Sequence, residues 1–379
     1  MMKLIIFLTM LLCFTGLKAQ EEVDKLSLAS LLIKNNNFSK AQAILGNIKD
    51  PNDVQTDRYY MLLGILAVKQ KRFKVAVEKL LLAEKSGLDK KDEPEFYETL
   101  GRAYLLSKNY KKASAVLINK EKLLENRPLY YQLLSKLNFE TENEEIGWTT
   151  LGKGISKFPK YFPMKKQKWF YLFSNNLLEV SKNYLFEIIN EGKLSALDLA
   201  KIAYQYRLKK DLVTAAILGE LARLKEPGNE EIAKELARTY IEKQEILSAA
   251  QVVESLALKK SKFMAEASEL WRKAGYPVHA ERLALEISDP MKSLQQKIIL
   301  ALEAKNFLRI SQLAPLVQRT ELKSNEEVQY TLAYTHFMLG KFIKAEKYLG
   351  SITRKDLLKK ALSLRETIQS CSENEEMCL

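Results

Sequence analysis

The feature that most constrains this chain is a small residue three positions after a bulky apolar one, in a pair that keeps returning. Phe38-Ser39-Lys40-Ala41 aligns with Phe73-Lys74-Val75-Ala76 and Tyr110-Lys111-Lys112-Ala113, at spacings of 35 and 37 residues. The pair comes back as Leu212 and Ala215, Ile246 and Ala249, and Phe342 and Ala345. A small side chain at a helix contact lets the two axes approach closely, so each pair marks where a second helix packs on a first. The preceding halves agree: Leu63-Gly64 with Ala67, Leu100-Gly101 with Tyr104, Leu236-Ala237 with Tyr240, and Leu332-Ala333 with His336. Downstream, Leu80 and Ala83, Gly219 and Ala222, and Leu349 and Ile352 continue an inward face at helical spacing. Pro51, Pro159, Pro227 and Pro290 punctuate the ends of units, where a helix must stop.

Composition fits such an array. In 379 residues there are only 14 Gly and 9 Pro, with few Asn-Gly or Asp-Gly turns, which argues against a β-sandwich or barrel. Two His and three Cys leave almost nothing for a His/Cys metal centre. No His-Glu-x-x-His, Ser-x-x-Lys, Gly-x-Ser-x-Gly or Gly-rich phosphate loop occurs, so the expectation is a chain with no enzymatic activity and no cofactor. His336 takes the place of Ala67, Tyr104 and Tyr240 in other units, as a packed or groove-edge side chain would.

These residues resemble the tetratricopeptide repeat, a helix–turn–helix unit of about 34 residues. The resemblance is clear at 57–90, 94–127, 196–229, 230–259 and 326–353, and extends to 22–52 and 128–160. At 161–195 no Ala marks the second helix; at 261–290 the helices shorten around Gly275-Tyr276-Pro277; at 291–323 Ile310 replaces the small residue. The resemblance implies an all-α, right-handed superhelical solenoid of about ten units. Residues 20–160 and 196–353 form two sub-arrays, with 161–195 a degenerate repeat or hinge between them. Residues 354–370 read as an amphipathic capping helix, followed by a tail to 379. The resemblance also implies that first helices line a groove, which makes Tyr60, Tyr97, Tyr131 and Gln132 groove candidates.

The most unusual stretch is 157–173, with Lys157, Lys160, Lys165, Lys166 and Lys168, no acidic residue and seven aromatics, among them Tyr161, Trp169 and Tyr171. It fits either a degenerate repeat whose rings fill the stack, or a docking patch for an acidic partner or head group. Further basic clusters recur near repeat turns, at Lys69, Lys71, Arg72 and Lys74, at Lys108, Lys111 and Lys112, and at Lys209 and Lys210.

At the N-terminus, Lys3 followed by the apolar run Leu4 to Phe14 and by Ala19 reads as a secretory leader over residues 1–19. The mature chain would start near Gln20 and be exported, periplasmic in the first instance. Its two remaining cysteines, Cys371 and Cys378, would then pair in a small C-terminal loop. The net charge of +13 falls to +11 without Lys3 and Lys18, which suits acidic partners. Export argues against nucleic acid. The expected function is a scaffold for protein–protein interaction in a bacterial envelope assembly for secretion, motility or wall building. The alternative is binding of an anionic envelope polymer or membrane surface through the basic-aromatic stretch.

Overall fold

The computed structural model describes residues 24–373; the leader, Gln20 and Cys378 lie outside them. The described chain holds 22 α-helices, three short 3-10 turns and no strand. It divides into two compact units between Asn190 and Glu191.

The N-terminal unit is built of five helical hairpins: α1 (Lys25–Lys34) with α2 (Phe38–Gly46), α3 (Thr56–Lys69) with α4 (Phe73–Lys85), and α5 (Glu93–Leu106) with α6 (Tyr110–Asn119). After the one-turn α7 (Glu121–Leu124) come α8 (Pro128–Glu140) with α9 (Glu144–Lys157), and α10 (Phe162–Ser174) with α11 (Leu178–Ile189). The C-terminal unit has five more: α12 (Ala196–Leu208) with α13 (Leu212–Lys225), α14 (Glu230–Glu242) with α15 (Ile246–Ala257), and α16 (Met264–Lys273) with α17 (Pro277–Leu285). Then follow α18 (Pro290–Glu303) with α19 (Phe307–Gln318), and α20 (Glu326–Met338) with α21 (Phe342–Leu349), before the closing α22 (Lys355–Glu373). The described chain is thus all-α and made of tetratricopeptide-like hairpins.

One device makes all ten hairpin turns. The residue two before the second helix has a positive φ, between 52° and 85°: Asn36, Lys71, Lys108, Glu142 and Asn176 in the first unit, and Lys210, Gln244, Gly275, Lys305 and Gly340 in the second. The next N–H reaches the carbonyl five residues back, as from Arg72 to Ala67 (2.8 Å), Asn109 to Tyr104 (2.9 Å) and Lys341 to His336 (2.8 Å). This is the Schellman closure, which satisfies the last carbonyls of one helix while turning the chain into the next. The basic turn clusters seen in the sequence sit on this device.

Five residues after each left-handed residue lies the close-packing position. Ala41, Ala76, Ala113, Ala215, Ala249, Ala280 and Ala345 are all 0% exposed there. Three units lack Ala, and two of them use other small groups. Gly147 is buried against Phe139, and Ser181 is 0% exposed with its hydroxyl donating to the Leu178 carbonyl at 2.8 Å. Ile310 is buried with no exposure, in the one hairpin where a large residue takes the place. Residues 162–189 form a hairpin like its neighbours, and the compact division falls just after it, at 190/191, within the 161–195 stretch.

The final helix also differs from expectation. It runs on through Glu373, so Cys371 lies inside it and is 1% exposed, instead of following it. Leu357, Ala361, Leu364 and Ile368 seal the last hairpin by packing against Ala345 and Leu349.

Candidate functional site

Within the N-terminal unit, clefts open between consecutive first helices. One of about 350 Å³ lies among α1, α3 and the start of α5, with Lys34, Arg58 and Lys69 on its walls. Two more adjoin further along. The first, about 340 Å³, is lined by Arg102, Leu105, Leu129, Leu133 and Tyr161; the second, about 610 Å³, by Glu140, Lys166, Gln167, Phe170 and Tyr171. They share Gln132, Lys136 and Pro163, so they form one continuous trough across α5, α8 and α10.

The trough is held by an amide and phenol network. Tyr161 donates through its hydroxyl to Gln132 Oε1 at 2.9 Å. Gln167 Nε2 donates to the Gln132 carbonyl at 3.2 Å and to Ser135 Oγ at 3.0 Å. Tyr171 stacks on Phe139 with centroids 3.7 Å apart and meets Trp148 edge-on. Burial pushes the Tyr171 phenol up to about 12, with Glu140 adding to the shift and the Gln167 hydrogen bond opposing it. Burial raises Tyr161 as well. Both phenols stay protonated at neutral pH; Tyr161 serves as a donor, and the Tyr171 hydroxyl accepts from Gln167 Nε2. Arg102 and Lys136, half-buried, form no ion pair among the described residues. An apolar floor with two such cations and convergent amides is suited to an extended segment that carries carboxylates and an apolar side chain.

The structure sorts the sequence candidates. Gln132 is in the trough, and Tyr161, Lys166 and Tyr171 line it. Lys157 is exposed but turns back on its own hairpin, donating to the Glu125 carbonyl at 2.9 Å with its ammonium 5.8 Å from the Tyr131 ring. Lys168 sits 4.6 Å over Tyr184. Lys160 is exposed and Lys165 half-buried.

Trp169 also lines the larger cleft, although it is only 7% exposed and packs on the buried Phe173; of α10's aromatics, Phe170 is the strongly exposed one, at 55%. Tyr60, Tyr97 and Tyr131 line none of the clefts described above. All three pack on the apolar cluster of Met61 to Leu137. The Tyr97 ring lies 4.2 Å from Lys120 Nζ, and Tyr131 abuts Phe158, both at the far end of the second helix.

Sequence reasoning missed Arg102, Lys136 and Phe170. The signal was there: they stand 34 residues apart, and the same step leads on to Tyr204 and Arg238. In the C-terminal unit Tyr204 and Arg238 line a cleft of about 440 Å³ between α12 and α14.

No family model matches the chain, and no curated protein does. Among solved structures, the apo form of RapI is 15% identical over 91% of this chain and 98% of its own, with a TM-score of 0.43. The C-terminal part of a TPR repeat-containing protein from Cytophaga hutchinsonii is 12% identical over 72% of this chain and 98% of its own, at 0.39. PilW, a widely conserved type IV pilus biogenesis factor, is 12% identical over 57% of this chain and 94% of its own, at 0.34. TM-scores this low carry neither function nor overall curvature across to this chain.

Proposed function

We propose that this chain is a non-catalytic repeat scaffold, exported by its leader to the periplasm, that binds protein partners in a bacterial envelope assembly. The trough across α5, α8 and α10 takes an acidic, partly extended segment of the partner. The observation that carries this reading is the pair of half-buried cations, Arg102 and Lys136, set 34 residues apart over an apolar floor without carboxylate partners among the described residues. Rigid stacked helices hold these groups in place, so little ordering is needed on binding. The burial of Trp169 and Phe173, at 7% and 6% exposure, disfavours the alternative, a polymer or membrane contact through 157–173, because it withdraws two of that stretch's rings from the outer surface.

The test is capture of partners from envelope extract on residues 20–379 at low and high salt, read by mass spectrometry. One or two proteins should be held by the parent and lost from Arg102→Glu/Lys136→Glu, while a Lys225→Glu control retains them. Retention by the double variant would remove the trough from the interface.

A further inference from the structure

A second surface lies on the other unit. The second residue of each second helix occupies one register, three after the left-handed turn residue. In the N-terminal unit that register holds Ser39, Lys74, Lys111, Glu145 and Glu179. In the C-terminal unit it holds Val213, Leu247, Val278, Leu308 and Ile343, an aliphatic in every hairpin. Val213 and Leu308 are 60% exposed, Val278 82% and Ile343 90%; Leu247 is half-buried. The adjoining ends of first helices add Leu208, Ile241 and Met338, each more than 40% exposed.

These residues share one edge. Arg207 and Lys210 both bridge to Glu242, the latter at 3.1 Å, and Arg272 bridges to Glu303, joining equivalent turns of neighbouring hairpins. The aliphatic tips are therefore a row along the turn edge, not scattered exposures. None of them lines a described cleft; they project instead of forming a groove. Beside them stand lysines. Lys305, Lys341 and Lys344 are exposed and form no ion pair among the described residues, so the edge has an excess of positive charge.

Projecting aliphatic tips with cations between them fit a surface that is soft, apolar just below its face and negatively charged. A second copy of this edge would bring lysine against lysine, which opposes pairing. We infer that the turn edge of the C-terminal unit docks on an anionic lipid bilayer: Val213, Leu247, Val278, Leu308 and Ile343 enter the boundary between head groups and acyl chains, and the lysines meet lipid phosphates. No described helix is long and apolar enough to cross a membrane, so the contact is a peripheral one.

The experiment is flotation of residues 20–379, which keep every described residue, with phosphatidylcholine vesicles containing roughly one-third phosphatidylglycerol. The parent should float with these vesicles and be released by salt. Val278→Ser/Leu308→Ser/Ile343→Ser should weaken binding at least about tenfold with helicity unchanged, since the three side chains are mainly in water. Leu31→Ser/Ile118→Ser, which removes exposed aliphatics of the other unit, should bind like the parent. Failure of the parent to float, or equal flotation of the triple variant, would overturn the inference. So would a lipid-free dimer in sedimentation that the triple variant abolishes, because a second copy would then cover the edge.

Discussion

Gly154 lies so close to Tyr131 that a β-carbon on it would stand 2.6 Å from Tyr131 Cβ and 2.7 Å from Met164 Sδ. The contact joins the first and second helices of one hairpin to the start of the next. It also fixes the inward direction of Tyr131, and it explains why this tyrosine is unavailable to the trough.

Gly154→Ala should therefore destabilise the protein by about 1–3 kcal/mol despite the better helix propensity of Ala, because Tyr131 Cβ moves only with its backbone. Urea unfolding followed by circular dichroism would read the change. Gly152→Ala, two residues away with nothing within 4 Å of the added carbon, should instead be neutral or stabilising.

The turn lysines carry a conformational cost. Lys71 and Lys108 have φ of 61° and 63°, a region that disfavours any residue with a β-carbon. Lys71→Gly and Lys108→Gly should each stabilise the chain by about 0.5–1 kcal/mol, after the larger unfolded-state entropy of Gly is counted. Lys71→Ala should not, since Ala keeps the strain. Thermal melts of the three variants would separate a backbone effect from loss of charge.

His336 gives a pH dependence. It is 3% exposed, its ring lies parallel to Tyr348 at 5.4 Å, and burial, helped by Lys344 and Lys341, holds its imidazole below the ordinary value. As the pH falls through about 6.5 the unfolded chain takes up a proton that the folded chain still refuses. This contribution to stability is complete above that pH and is lost as the pH falls from there toward the folded value. His336→Phe should flatten the decline in melting temperature between about pH 8 and about pH 5. An unchanged slope in the variant would assign the decline to other groups.

Much of the fold was legible because helical hairpins are local objects. The bulky-to-small pairs at Phe38/Ala41, Phe73/Ala76 and Tyr110/Ala113 mark the starts of second helices to the residue, as do Leu212, Ile246 and Phe342. Residues 161–195 appeared degenerate because Ala was sought where Ser181 fills the same space. Nine of the ten hairpins keep a small volume there, and a search for volume instead of residue type would have found both Ser181 and Gly147.

The site was less legible. A repeat register says which residues are equivalent, but not which side of a first helix meets its own partner and which faces the next hairpin. That choice follows from how the ridges of three helices interlock, and here it sent Tyr60, Tyr97 and Tyr131 inward and Arg102, Lys136 and Gln132 to the trough.

Period, helix type and the ten turns were thus determined by the sequence alone, since a helix closes its hydrogen bonds within itself and a turn within a few residues. The inward tyrosines, the buried Trp169, the trough and the exposed edge of Val278, Leu308 and Ile343 were decided only by tertiary structure. Burial depends on which neighbours arrive from other helices, and no local pattern carries that.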